Sequence, residues 1–153
     1  MRYLTILSTF FAFALFSCKD DTLTPEEQLQ EDIRIIEQYL TDNNLTAQST
    51  ASGLHYIITQ EGSGGHPNLQ SNVTVKYKGY LTDGRVFDQT TGNETIKFLL
   101  SDLISGWQEG IPLLKKGGKG TFLLPSALGY GPGGSGSIPP NTVLIFEIEL
   151  VNF

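Results

Sequence analysis

The chain is 153 residues long, with ten Lys or Arg against sixteen Asp or Glu and a formal net charge of -6. That length holds one core with some extra segments, since a domain takes roughly 100–150 residues. The acidic balance, with Lys115, Lys116 and Lys119 gathered on one turn, leaves no basic surface for a phosphate backbone and excludes nucleic acid as a partner.

The first 18 residues, MRYLTILSTFFAFALFSC, carry one early cation, Arg2, then an uncharged apolar run over residues 4–16. As a helix such a run rises about 20 Å, short of the ~30 Å hydrocarbon core, so residues 1–17 read as a secretory signal peptide rather than a membrane span. The ending LFSC resembles a bacterial lipoprotein cleavage box. This implies that Cys18, the only cysteine, becomes a lipid-modified first residue bearing palmitate; an ordinary signal peptide with a stray cysteine is the alternative. Residues 18–23 are then a lipidated tether. Lys19, Asp20 and Asp21 resemble a signal for the outer face of the outer membrane, and Asp21 to Leu23 an O-glycosylation site, with a plain solvated tether as the other reading. The expected location is the cell envelope, with the chain anchored to the outer membrane through Cys18 on its periplasmic or cell-surface face.

Residues 24–46 read as an N-terminal amphipathic helix. Thr24 is the N-cap, Pro25 takes the first helical position and Glu27 the capping-box position. Leu29, Ile33, Ile36 and Leu40 recur at helical spacing as an apolar stripe with acidic residues opposite, until Asn43 and Asn44 end it. The stripe covers the protein's own sheet, serves as a spacer, or pairs two copies or holds clients.

Residues 47–53, AQSTASG, read as a polar linker. Six stretches rich in β-branched and aromatic residues follow: LHYIIT from Leu54, NVTVKYKGYL from Asn72, RVFD from Arg85, TIKFLL from Thr95, KGTFLL from Lys119 and TVLIFEIELV from Thr142. Only DLISGWQEGI, residues 102–111, reads as helix among them, and it is too short to connect parallel strands. The fold expected is α+β: a curled antiparallel β-sheet of five to six strands packed on one short helix and preceded by an N-terminal helix.

Conventional reactive groups are scarce. His55 falls in a strand and His66 in a turn, with no cysteine beyond Cys18 to complete a metal set. Gly129, Gly131 and Gly134 formally satisfy G-x-G-x-x-G, but Pro132, Pro139 and Pro140 forbid the helix that would hold a pyrophosphate. KKGGKGT lacks the first glycine and the Ser or Thr of a phosphate loop, and there is no G-x-S-x-G elbow. No metal and no cofactor are expected. What remains is an apolar set, Tyr77, Phe87, Trp107, Tyr130, Ile138 and Phe146, each of which alone is ordinary core. Beside it lies a glycine-rich loop over residues 129–136, whose ordering costs more entropy than a plain turn would need.

From about residue 53 to residue 153 the chain resembles the FKBP-type peptidyl-prolyl cis-trans isomerases. The likeness runs through VKYKGYLTDGRVFDQT, LISGWQEGI, LGYGPGGSGSIPPNTVLIFEIEL and the spacing among them. It implies an FKBP-like isomerase domain over residues 47–153, with a pocket floored by Trp107, walled by Tyr77, Phe87, Leu103, Ile104 and Phe146, and overhung by the loop from Tyr130 to Ile138. The resemblance gives catalytic positions to Tyr77, Phe87, Asp88, Ile104, Trp107, Tyr130 and Phe146, and substrate-binding positions to Ile96, Leu103 and Ile138. In it the Ile104 N–H and the Tyr130 hydroxyl bond substrate carbonyls, and Asp88 stands at the pocket edge. Ile96 stands where many members carry a second pocket phenylalanine, Ser137 replaces an aliphatic residue, and Gln89 and Thr90 stand where two serines are common; one wall is expected to be smaller and more polar.

The implied function is prolyl isomerisation that assists the folding of exported proteins. The partners would be proline-containing peptides, unfolded exported proteins, the membrane through Cys18, macrolide inhibitors of the pocket, and a second copy of the chain through the N-terminal helix. A non-catalytic peptide-binding module or holding chaperone using the same pocket is the alternative, and a purely structural surface lipoprotein is a third.

Overall fold

The computed structural model describes residues 23–153; the signal segment, Cys18 and the Lys19-Asp20-Asp21 motif lie outside the described residues. Helix α1, Pro25–Asp42, starts with a complete capping box. The Glu27 N–H donates to Thr24 Oγ1 (3.3 Å), and the Thr24 N–H donates to Glu27 Oε2 (2.8 Å). The Thr24 N–H and the Thr24 hydroxyl, both donating to Glu27 Oε2 at 2.8 Å, hold the Glu27 carboxyl below its ordinary range. At the far end the Asn43 side chain donates to the Tyr39 carbonyl (2.8 Å), and Asn44 turns the chain out of the helix with a φ of 54°.

Seven antiparallel strands form one sheet: β1 Gln48–Ser49, β2 His55–Gln60, β3 Asn72–Tyr80, β4 Val86–Gln89, β5 Ile96–Leu99, β6 Lys119–Leu124 and β7 Leu144–Asn152. Their order is β1-β2-β6-β7-β3-β4, and β5 also pairs with β3. The last six answer to the six stretches read from sequence. β1 is the addition, inside what reads as a linker: Gln48 and Ser49 pair with Tyr56 and His55 across a turn closed at Gly53. Two residues carry no alternation, so the sequence holds no periodic signal for them.

Period-2 alternation divides the sheet into two faces. Phe122 and Leu124 of β6, and Leu144, Phe146, Ile148 and Leu150 of β7, enter the main core with Val73 and Val75 of β3. Helix α2, Ser105–Gly110, closes that core together with the 3-10 turns Leu100–Asp102 and Ile111–Leu113. A Cβ on Gly106 would collide with the Leu124 side chain, so a glycine is what lets so short a helix lie against the sheet.

The intervening residues Leu123 and Ile145 point the other way and meet Ile36 and Leu40 of α1 in a second, smaller core with Val143. The apolar stripe of α1 therefore covers the chain's own sheet, and the molecule has three layers: α1, sheet, α2. One acidic residue departs from the expectation that the carboxylates lie opposite the stripe. Asp32 falls on the buried face with 0 % exposure, because the Ser126 N–H and hydroxyl and the Gln28 amide donate to it. Where α1 does not reach, the outer face is charged, with Lys76 and Lys119 flanking Glu149 across the ladder.

Candidate functional site

Trp107 reaches the middle of the concave face from α2 and is 5 % exposed. Three rings stand edge-on around its indole: Tyr77 of β3 at 5.1 Å and 82°, Phe146 of β7 at 5.3 Å and 87°, and Phe98 of β5 at 6.2 Å and 85°. Phe87 of β4 meets Phe146 in the same manner at 5.5 Å. Edge-to-face packing suits the ring quadrupoles and holds each ring in one orientation. Gly79 makes room for this, since a Cβ there would lie 2.6 Å from the Phe87 ring.

Above the indole lies an apolar cavity of about 200 Å³ lined by Tyr77, Phe87, Asp88, Phe98, Leu103, Ile104, Trp107, Tyr130 and Phe146. A larger cleft of about 470 Å³ between α1 and the loop after β6 lacks any aromatic lining.

The polar groups sit at the rim. The Tyr77 hydroxyl donates to Asp88 Oδ2 at 2.5 Å. Its pKa is pushed well above the usual phenol range, first by burial and then by the Asp88 carboxylate, so it remains a donor. Thr90 braces the same residue: the Tyr77 N–H donates to Thr90 Oγ1 (3.1 Å), and the Thr90 N–H donates to the Tyr77 carbonyl (3.0 Å). Ile104 is the N-cap of α2, and its carbonyl accepts from the Trp107 and Gln108 N–H groups. Among the described residues its own N–H, the Tyr130 hydroxyl and the buried Trp107 indole N–H have no acceptor. The Gln108 amide donates to the Leu103 carbonyl (2.6 Å) and fixes the chain leading into Ile104.

Eight of the ten residues singled out from sequence line this one cavity. Two do not. Ile96, at the start of β5, is 38 % exposed and outside the lining, because the cavity lies nearer the other end of the strand. Phe98 holds that wall, so the expectation of a smaller wall through Ile96 is corrected: an aromatic wall is present, supplied two residues later. Alternation puts Ile96 and Phe98 on one face, opposite Val75 and Val73, and so marks the pair without choosing between them. Ile138 is 7 % exposed and buried in the core beneath the loop rather than in the cavity wall, where its N–H and carbonyl bond Ser135. The histidines are structural: His55 Nδ1 donates to the Gly53 carbonyl (2.9 Å), and His66 Nδ1 to the Pro112 carbonyl (2.8 Å).

The arrangement offers no nucleophile paired with a base. It offers an aromatic seat for a small ring, with the Ile104 N–H and the Tyr130 hydroxyl as donors for carbonyl groups.

Comparison with known proteins converges on one family. A family profile described as FKBP-type peptidyl-prolyl cis-trans isomerase matches residues 64–151. An FkpA relative from Neisseria meningitidis is 48 % identical over 106 residues, covering 68 % of this chain and 39 % of the relative. FkpA from Aeromonas hydrophila is 44 % identical over 118 residues, covering 75 % of this chain and 44 % of the relative. The chain thus spans about two fifths of the length of the curated relatives it matches. Among solved structures, FkpA from Escherichia coli superposes with a TM-score of 0.72 at 34 % identity, over 83 % of this chain and 63 % of that one. A peptidyl-prolyl cis-trans isomerase from Pseudomonas syringae gives 0.71 at 30 % identity, over 86 % of this chain and 96 % of that one. With the profile spanning more than half the chain and the aromatic cavity falling inside the matched residues, the chain belongs to the FKBP-type peptidyl-prolyl cis-trans isomerase family.

Proposed function

We propose that this chain catalyses cis-trans isomerisation of peptidyl-prolyl bonds in exported proteins of the cell envelope. The observation that carries the reading is the cavity over Trp107, walled by edge-on rings, with the Ile104 N–H and the Tyr130 hydroxyl free of acceptors among the described residues.

Rotation about a peptide bond meets a barrier of about 18–20 kcal/mol, and an X-Pro bond isomerises in tens to hundreds of seconds. Twisting the bond removes amide resonance, so the transition state is less dipolar than the planar ground state. An apolar seat favours the twisted state relative to water, and that difference is catalysis without any bond breaking. In this reading the prolyl ring rests on Trp107 between Tyr77, Phe87, Phe98, Leu103 and Phe146. The Ile104 N–H takes the carbonyl on one side, the Tyr130 hydroxyl takes a second, and Asp88, held by Tyr77, faces the substrate at the rim. A millionfold acceleration needs about 8 kcal/mol, within reach of desolvation plus two or three oriented contacts.

The test is the cis-to-trans rate of a short Leu-Pro peptide with catalytic amounts of the detergent-solubilised whole chain. A rate well above background supports the proposal. A background rate from folded protein sinks it and leaves a peptide-holding module.

The reading extends to location and partners. Palmitate on Cys18 anchors the chain to the outer membrane, residues 18–23 are its tether, and macrolide inhibitors compete with peptide for the cavity. Labelled palmitate that incorporates into the wild-type chain but not into Cys18→Ala checks the anchor. With the stripe of α1 occupied by the sheet, two copies would pair through the helix's outer side, which a sedimentation experiment reads directly.

A further inference from the structure

Asp32 is a buried carboxylate with a single tertiary attachment, and that attachment leads to the site. Its Oδ2 accepts from the Ser126 N–H (2.7 Å) and the Ser126 hydroxyl (2.6 Å), and its Oδ1 accepts from the Gln28 amide (2.8 Å) one turn earlier in α1. Both Asp32 and Ser126 are out of solvent, at 0 % and 1 % exposure. Hydrogen bonds to a carboxylate are shorter and roughly twice as strong as neutral ones, and these three donors are what a buried acid without a neighbouring cation has to satisfy it.

Ser126 begins the 3-10 turn Ser126–Leu128, which is tied by the Leu128 N–H to the Pro125 carbonyl and the Gly129 N–H to the Ser126 carbonyl, both at 2.9 Å. The next residue is Tyr130, on the cavity wall. Past Ser126 the helix and the loop part company, and the cleft of about 470 Å³ opens between Leu29 and Gly131 with Pro132. At the loop's other end Ile138 is buried, and the Asn141 N–H donates to the Gly131 carbonyl (2.9 Å). Between them Gly131, Gly134 and Gly136 all have positive φ.

We propose that Asp32 is a positioning residue of the prolyl site. Through Ser126 it fixes where Tyr130 stands, so that α1 is a working part of the isomerase unit rather than a spacer ahead of it. This rests on the isomerase reading above. A carboxylate on one element and a turn on another, joined by two charge-assisted bonds, restrict the near end of the loop far more than apolar contact alone. Misplacing a contact group by an ångström is costly to a reaction that depends on orientation.

The experiment compares the whole chain with Asp32→Ala, Asp32→Asn and Ser126→Ala, at a temperature where circular dichroism shows each to be folded. Two quantities are read: kcat and KM on a Leu-Pro peptide, and hydrogen exchange of the amides at residues 126–131. Asp32→Ala is expected to lose about tenfold in kcat/KM, chiefly through KM, with faster exchange at 126–131. Asp32→Asn keeps an acceptor oxygen in place and recovers most of the loss, and Ser126→Ala, which retains the N–H contact, falls between. A folded Asp32→Ala with kcat/KM within about twofold of wild type overturns the proposal, as does an Asp32→Asn loss equal to that of Asp32→Ala. Should Asp32→Ala fail to fold, Ser126→Ala decides alone: unchanged KM and unchanged exchange overturn the proposal. If wild type has no isomerase activity, the functional reading falls separately, while exchange still reports whether Asp32 holds the turn.

Discussion

Truncating Trp107 removes the cavity floor and the centre of a ring cluster together. At 5 % exposure, in contact with Tyr77, Phe98 and Phe146, its replacement by alanine is expected to destabilise the chain by about 3–5 kcal/mol and to abolish turnover. Tyr130→Phe removes only a hydroxyl on a side chain 40 % exposed that bonds nothing within the described protein, so stability holds and kcat/KM falls modestly. Denaturant melts and peptide kinetics on both variants check the ranking, and equal kinetic losses in two folded proteins would contradict it. At this scale most of the cavity lining was legible, because aromatic residues with no competing chemistry stood at spacings that resemble those of one family. Ile96 against Phe98 was not legible. Both lie on one face of β5, and choosing between them requires knowing how far along the strand the indole sits, which depends on the position of α2.

The two helices differ in how much of their structure sequence could dictate. The start of α1 follows from local chemistry, with Thr24, Pro25 and Glu27 each satisfying an end group, and the structure has the same cap. Local chemistry also sets its acid response. The Glu27 carboxyl is depressed first by the Thr24 N–H bond, so its contribution is present above the unfolded value of 4.5 and is lost as pH falls through the lower folded value. The difference in melting temperature between wild type and Glu27→Gln is therefore expected to be full at pH 7 and to shrink steadily as pH is taken down below 4.5; a difference that does not change with pH over that descent would assign the effect to shape instead of charge. What α1 packs on was open in the sequence, since a stripe of Leu29, Ile33, Ile36 and Leu40 suits a sheet, a partner or a client equally well. Asp32 was hidden for a related reason. A carboxylate on an amphipathic helix reads as solvated unless its distant donors are known, and Ser126 is 94 positions away.

Across the whole molecule the sheet is shared by two cores with different duties. Phe122 and Phe146 face the ring cluster, whereas their neighbours Leu123 and Ile145 face α1, so one ladder serves both. If the outer layer acts on the site only through Asp32, then weakening its apolar contacts changes stability and leaves catalysis alone. Ile36→Val, which removes one methylene from a residue with 0 % exposure, is expected to cost about 1 kcal/mol, or roughly 3–5 °C in Tm for a domain this size. Its kcat/KM at 25 °C should stay within about twofold of wild type, because Asp32 and Ser126 keep their bonds and no ring in the cavity loses a neighbour. A kinetic loss in Ile36→Val comparable to that in Asp32→Ala would mean that the sheet transmits packing changes from face to face, and that the polar link to Ser126 is one contact among many rather than the route by which α1 reaches the site.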